Sequence, residues 1–433
     1  MRMSGRFILF SSVVLGGATL LAQSAAAPKS QTHQAASVST ASVGLAAERV
    51  AMIDRGLQRY IDADRVAGIV GLVMRDGKIE YEKAFGWADR EAGRKMTTDS
   101  VFRIASQTKA LTSTAIMQLV EEGKLALSTP AGELIPSFAK TTVAVANERG
   151  AVTQVPAKRA ITIRDLLTHT AGISYGTEPA VAALYAAKGL GPSAGFGWYT
   201  ADKDETVCAT MERLGTLPFV AQPGEAWVYG YNTDVLGCIV EKASGVPLDE
   251  YIRAHITGPL GMKDTQFFLP SGQRERLAAV YGSGDGGKYV RAPEGPRGQG
   301  AYVDGPRKNF AGGAGLLSTA RDYARFLETI RRGGTIDGVR VLGPRAIRLM
   351  STNQSGTLHS TTGLGFGMGF ETTERYGANG MDTEGSFGWG GAYGSVYRVN
   401  PEAKLVMVLM IQMLPNATDL REVFPALVYQ ALN

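Results

Sequence analysis

Ser106-Gln107-Thr108-Lys109 sets a hydroxyl and an amine three residues apart. On a helix this spacing puts both side chains on one face. A helix N-terminus adds unsatisfied N–H groups and a positive dipole end, which favour negative charge developing at the serine. A lysine held in a desolvated pocket can accept a proton near neutrality, and such a pair can replace a Ser-His arrangement. The chemistry such a pair could do is nucleophilic acyl transfer, with Ser106 as nucleophile and Lys109 as its activator. The spacing also occurs at Ser137-Phe138-Ala139-Lys140, and an isolated match of this kind reads by default as a capping serine beside a solvated lysine. What distinguishes Ser106 is its place at the head of a long helical pattern.

A second serine has a different pattern. Gly172-Ile173-Ser174-Tyr175-Gly176 fits the Gly-x-Ser-x-Gly nucleophile elbow, which needs a strand before it, a helix after it and a later acid and histidine. Here a helical stretch ends at His169, a loop with Gly176 and Pro179 follows, and the later histidines, His255 and His359, lie outside the expected C-terminal setting. Ser174 is therefore set aside as nucleophile, and His169 reads as a helix-end structural residue. Two cysteines and four scattered histidines make no metal-ligand cluster, so neither a metal nor an organic cofactor is implied.

The elements that must hold these residues follow from periodicity. Val50, Ile53, Leu57 and Ile61 give 46–63 the spacing of an amphipathic helix. Strands over 67–74 and 79–85 flank Asp76-Gly77, a two-residue hairpin signal. Residues 106–122 read as an amphipathic helix stopped by Gly123. Between 124 and 300 short helical stretches (163–168, 205–214, 233–243) alternate with long Gly/Pro loops. Strands are expected over 363–372, 386–391, 392–400 and 404–413, with a turn at Asn400-Pro401 and a closing helix over 418–432. The fold class is therefore α/β in the α+β sense. One antiparallel sheet domain (45–105 and 310–433) is completed by both ends of the chain, and a mostly helical domain with long loops (106–309) is inserted. The 54 glycines favour such a loop-rich enzyme over a helical repeat.

Three stretches together resemble the serine β-lactamase-related family, which includes class C β-lactamases, D-Ala-D-Ala peptidases and family VIII carboxylesterases. They are Arg103 to Lys109, Leu166-Leu167-Thr168-His169-Thr170-Ala171-Gly172, and Gly313-Ala314-Gly315-Leu316-Leu317-Ser318-Thr319-Ala320. The resemblance runs from about 46 to 430 and implies a β-lactamase/transpeptidase-like fold. Its second motif centres on a tyrosine. Tyr229, followed by Asp234-Val235-Leu236-Gly237, matches the family VIII form and implies a proton relay at Tyr229. A register using Tyr231, a residue otherwise expected to touch substrate, stays open because Asn232 stands one place late for Tyr-x-Asn. The third motif lacks the Lys-Thr-Gly of β-lactamases. Trp389-Gly390-Gly391-Ala392 resembles the Trp-Gly-Gly form instead, which implies an oxyanion hole from the backbone N–H groups of Ser106 and Ala392. Trp389, Gly390 and Gly391 would line the substrate site. A tryptophan in place of a lysine favours neutral acyl compounds, so the leading function is a carboxylesterase acting on small acyl esters. A β-lactamase or D-Ala-D-Ala carboxypeptidase is the alternative, and a non-catalytic binding protein on the same scaffold the third.

The ends and the charge complete the reading. Residues 1–27 show a basic start, an apolar core over 7–21 and small residues over 22–27, the order of a secretory signal peptide. That core is short for a membrane span, and no cysteine follows it, so the mature chain is expected to be exported to a bacterial periplasm without a stable membrane anchor. Residues 28–44 read as a disordered leader. The net charge of +5 is mild and no dense Lys/Arg run occurs, which argues against a nucleic-acid partner. Cys208 and Cys238 could pair in an oxidising compartment, but the apolar run around Cys238 favours a buried free thiol. Oligomeric state is not legible.

Overall fold

Asp76 and Gly77 take φ values of 46° and 84°, as a two-residue hairpin turn requires. They join β1 (Gly68–Arg75) to β2 (Lys78–Asp89). The computed structural model describes residues 44–147, 151–192 and 201–432. The expected signal peptide (1–27) and all but the last residue of the leader (28–44) lie outside the described residues. β3 (Arg94–Lys95) follows β2. The remaining sheet strands come from the other end of the chain: β4 (Leu364–Phe366), β5 (Glu371–Thr373), β6 (Phe387–Gly390), β7 (Val396–Asn400) and β8 (Leu405–Met410). The eight strands run in the order β4-β5-β6-β7-β8-β1-β2-β3, every neighbour antiparallel. The two ends of the chain meet where β8 pairs with β1, from Val70 opposite Met410 to Arg75 opposite Leu405. This is the α/β architecture that the pattern of elements predicts.

The helices that frame the sheet and the site are α1 (Ala47–Asp62), α2 (Thr108–Glu121), α3 (Ile163–Leu167), α4 (Val207–Leu214), α5 (Asn232–Ser244), α6 (Ala320–Arg331) and α7 (Leu420–Tyr429). Side chains alternate across a strand, and both faces of the central strands are covered. Ile69, Val73, Met407 and Leu409 pack with Ile53 and Leu57 of α1 and Phe424 and Val428 of α7. Val70, Leu72, Val406 and Val408 point the other way, into the large core that holds Leu327 and Ile330 of α6 and Leu111, Ala115, Ile116 and Leu119 of α2. Strands buried on both faces must be apolar at every position, which is why β8 reads Leu-Val-Met-Val-Leu-Met. Each such aliphatic side chain taken out of water contributes about 1.5–3 kcal/mol. Among the described residues no helix is long and apolar enough to cross a membrane.

Several expectations are corrected. α2 is not amphipathic: every residue from Thr108 to Leu119 is buried, because the helix runs through the middle of the molecule. Several of its polar side chains find partners inside the protein, as where Thr112 donates to the Gly312 carbonyl at 2.9 Å and the Gln118 Nε2 to the Val341 carbonyl at 2.8 Å. The strand expected over 363–372 is two strands, β4 and β5, reversing through 367–370, where the Gly367 N–H donates to the Phe370 carbonyl at 2.8 Å. The strand expected over 392–400 starts only at Val396, since 391–394 form a turn closed by the Gly394 N–H on the Gly391 carbonyl at 3.0 Å. The 106–309 region also carries a small sheet of Thr142–Ala146, Val152–Pro156 and Pro218–Phe219. The free-thiol reading of Cys238 is overturned. α4 packs beside α5, bringing Cys208 and Cys238 to a Cα separation of 4.9 Å, and the two form a disulfide.

Candidate active site

Ser106 lies in the 3-10 turn Ala105–Gln107 that leads into α2. Ala105, just before it, has φ +44°, an unfavourable region for a residue with a Cβ and one that strained functional turns adopt at a cost of about 1–3 kcal/mol. Ala105 is fully buried against Val280 and Tyr393, and that packing holds the turn. Ser106 is only 9% exposed, but it lines a cleft of about 460 Å³. Lys109, one helical turn on, is 2% exposed. Its Nζ lies 3.3 Å from Ser106 Oγ, 3.0 Å from the Tyr175 hydroxyl and 2.8 Å from the Gly313 carbonyl. The carbonyl can only accept, so one amine N–H is committed there, whereas the two hydroxyls can each donate or accept.

The Gly313 carbonyl is itself held. Asp234, on α5, accepts the Gly313 N–H at 3.0 Å. Burial pushes the Asp234 carboxyl up to about 6, with the Lys109 charge opposing. The 313–320 stretch is also tied to α2, where the Leu316 N–H donates to Thr108 Oγ1 at 3.0 Å. Two motifs far apart in sequence thus converge on Lys109.

Tyr229 and Trp389 form the neighbouring wall. Trp389 Nε1 donates to the Tyr229 hydroxyl at 3.2 Å, and Lys109 Nζ lies 4.6 Å from the Tyr229 ring centre. Trp227 stacks on Tyr229 with an interplanar angle of 16°. His169 packs against the Tyr229 ring at 4.9 Å, next to Asn232, whose Nδ2 is 3.0 Å from Nδ1. Burial, then the charges of Lys109 and His359, hold the His169 pKa well below the usual imidazole value, so His169 acts as a neutral packing group behind the tyrosine. Tyr231 departs from expectation. It is 1% exposed, its hydroxyl accepts the Gly191 N–H at 2.9 Å, and it does not line the cleft. The residue caps α5 with φ −68° and ψ 6°, so the chain has already left the extended course that would keep its side chain beside Tyr229.

Opposite Ser106, Trp389, Gly390, Gly391 and Ala392 line the cleft. Gly391 packs so tightly on the chain before Ser106 that a Cβ there would meet the Ile104 carbonyl oxygen at 2.6 Å. The Trp-Gly-Gly stretch and the Ser106 turn therefore touch backbone to backbone. Glu371, Val396, Arg398, Arg421 and Glu422 complete the lining, and the two arginines, which the motifs did not announce, pack beside the Gly388–Gly391 stretch.

Ser174 is wholly buried, and its Oγ accepts the Gly176 N–H at 3.0 Å. Its neighbour Tyr175 lines the cleft instead. The close packing behind this is visible at Gly230, where a Cβ would meet the Ile173 carbonyl oxygen at 2.2 Å. Sequence reasoning weighed this loop for its serine and missed its tyrosine. The signal was the proximity of Tyr175 to the Leu166–Gly172 motif. Ser137 and Lys140 sit on a separate 3-10 turn, away from the cleft lining. Among the described residues no group of three or more His, Cys, Asp or Glu is gathered where a metal could be held.

A sheet closed by both chain ends, with a serine and lysine at the head of a central buried helix, defines the β-lactamase/transpeptidase-like class. A family model described as Beta-lactamase matches residues 53–431, and the chain belongs to that family. Esterase EstB of Burkholderia gladioli is 34% identical over 381 residues, 84% of this chain and 91% of that protein. A lovastatin esterase of Penicillium rubens is 29% identical over 402 residues, 85% and 94% of the two chains. Among solved structures, EstCE1, described as a hydrolase with promiscuous acyltransferase activity, superposes with a TM-score of 0.72 at 26% identity, covering 88% of this chain and 98% of its own.

Proposed function

We propose that this protein is a serine esterase that cleaves small carboxylic esters through an acyl-enzyme on Ser106. The observation that carries the reading is Lys109 Nζ, buried 3.3 Å from the Oγ of Ser106, which lines the cleft. Ser106 Oγ attacks the ester carbonyl while its proton passes to Lys109, with Tyr229 as relay. The N–H groups of Ser106 and Ala392 receive the oxyanion, where each donor is worth a few kcal/mol of barrier. Collapse of the tetrahedral intermediate breaks the ester C–O bond, and the departing alkoxide takes the proton back through Tyr229. Water then attacks the acyl-enzyme and frees Ser106. The relatives named as esterases support this choice of substrate, as does the apolar wall of Trp389.

A second reading, cleavage of acyl compounds that bear a carboxylate, such as β-lactams, draws on Arg398 and Arg421 in the cleft wall. Export to the periplasm is proposed from the signal-like residues 1–27, and the Cys208–Cys238 pair supports an oxidising compartment. The test is turnover of p-nitrophenyl butyrate and nitrocefin by wild type, Ser106→Ala and Ser174→Ala. The proposal expects ester turnover in wild type and Ser174→Ala and none in Ser106→Ala. Ester turnover surviving in Ser106→Ala contradicts it, and turnover of nitrocefin alone selects the second reading.

A further inference from the structure

A peptide unit is planar and trans, so the carbonyl of one residue and the N–H of the next point in opposite directions. The oxyanion donor assigned to Ala392 belongs to the same peptide as the Gly391 carbonyl, and whatever holds that oxygen aims that N–H. Two donors hold it. One is the Gly394 N–H of the 391–394 turn, at 3.0 Å. The other is Nη2 of Arg421, from the first turn of α7.

Arg421 is an unusual residue to find there. It lines the cleft and is half-buried. Among the described residues no carboxylate lies within ion-pair distance of it, and its Nε is buried without a hydrogen-bond partner. Burial, and then the charge of Arg398, push its pKa down. The charge of Glu422 opposes that shift only in part, and a partly desolvated guanidinium held outside a close ion pair costs stability, so the fold gains little by keeping one at this position. Its hydrogen bond goes to the peptide whose opposite face meets the reacting carbonyl. A cation on the carbonyl side also polarises the peptide and strengthens its N–H as a donor.

We propose that Arg421 is a positioning residue for the oxyanion hole, fixing and polarising the Gly391–Ala392 peptide from behind. The inference rests on the Ser106 acyl-transfer reading above.

The experiment compares the purified full chain with Arg421→Gln, Arg421→Lys and Ser106→Ala. It measures kcat and KM on the neutral p-nitrophenyl butyrate and on the anionic p-nitrophenyl hemisuccinate. It also measures the inhibition constant of an alkyl trifluoromethyl ketone, which adds to a serine as an oxyanion, and the Tm. The expected result for Arg421→Gln is a kcat on the butyrate lower by about tenfold, short of the ~10²–10³-fold loss of an oxyanion donor itself. Trifluoromethyl ketone affinity should fall by the same factor, KM should change little, and Arg421→Lys should recover much of both losses. Three results overturn the proposal. The first is unchanged kcat and inhibitor affinity in Arg421→Gln. The second is a raised KM confined to the hemisuccinate, which makes Arg421 an anion anchor. The third is an equal loss in Gln and Lys variants together with a fallen Tm, which makes its role structural. Ser106→Ala separates the levels: if it stays active the acyl-transfer reading itself fails, and if it is inactive while Arg421→Gln is unimpaired only the present inference does.

Discussion

Asp234 accepts the Gly313 N–H at 3.0 Å, and the carbonyl of the same glycine lies 2.8 Å from Lys109 Nζ. A buried acid on one helix thereby helps set the position of a lysine on another through the backbone of a single glycine.

This link has a pH dependence. The Asp234 carboxyl ionises near 3.8 in an unfolded chain and near 6 when folded, burial being the main cause. Between those values the unfolded chain has lost the proton that the folded protein keeps, so raising the pH favours unfolding. This group alone costs on the order of 3 kcal/mol of stability above pH 6. Asp234→Asn keeps an oxygen for the Gly313 N–H and removes the titration. Denaturant unfolding at pH 4.5 and pH 7 is expected to show a smaller loss on raising pH in Asp234→Asn than in wild type. An equal or larger loss in the variant would mean that Asp234 is ionised and stabilised by Lys109 throughout.

The two cleft tyrosines invite a direct comparison. Tyr175 shares a hydrogen bond with Lys109 Nζ, while the Tyr229 hydroxyl is held by Trp389. With Tyr229 as relay, Tyr229→Phe should reduce kcat by about 10²-fold, the lower end for a general acid–base group. Tyr175→Phe, which loses one hydrogen bond to the lysine, should cost about tenfold or less. Steady-state kinetics on p-nitrophenyl butyrate decide the matter, and a reversed order moves the relay to Tyr175.

Trp389→Phe keeps an apolar wall but removes the N–H that orients the Tyr229 hydroxyl. Losing a hydrogen bond worth about 0.5–1.5 kcal/mol corresponds to a severalfold drop in kcat, with little change in KM for a neutral ester. A large rise in KM at constant kcat would instead make Trp389 a substrate-binding surface only.

Much of the sheet was legible because its signals are local. Asp76-Gly77 marks its hairpin by backbone conformation alone, and the apolar run of β8 marks a strand covered on both faces. Ser106, Lys109, Tyr229 and the Trp389–Ala392 stretch stood out by motif, and the fold brings all but Lys109 to the lining of one cleft, with Lys109 buried behind Ser106. What was hidden depends on contacts between distant segments. The all-round burial of α2 is set by what surrounds it, and its threonines and glutamine passed for a solvent face until Gly312 and Val341 supplied their acceptors. Tyr231 and Tyr229 differ in burial because the chain turns into α5 at Tyr231, the residue that caps it. Tyr175 and Arg421 reach the site from a loop and from the last helix, and no spacing rule connects either to Ser106.

The Cys208–Cys238 disulfide closes a loop with a sequence separation of 30. Cross-links of that size stabilise by about 2–4 kcal/mol in the chain-entropy account. Replacing both cysteines with alanine should lower the unfolding free energy by that order while kcat/KM of the folded enzyme stays within about twofold of wild type, since neither cysteine lines the catalytic cleft. Stability unchanged in the double variant would contradict the pairing.

The central claim is that the acyl group is carried on Ser106. The most direct measurement is mass spectrometry of the full chain quenched during turnover of p-nitrophenyl butyrate, followed by peptide mapping of the adduct. The account predicts a butyryl group on the peptide containing Ser106, absent from Ser106→Ala. A butyryl group mapped to Ser174, or continued turnover by Ser106→Ala, would contradict it.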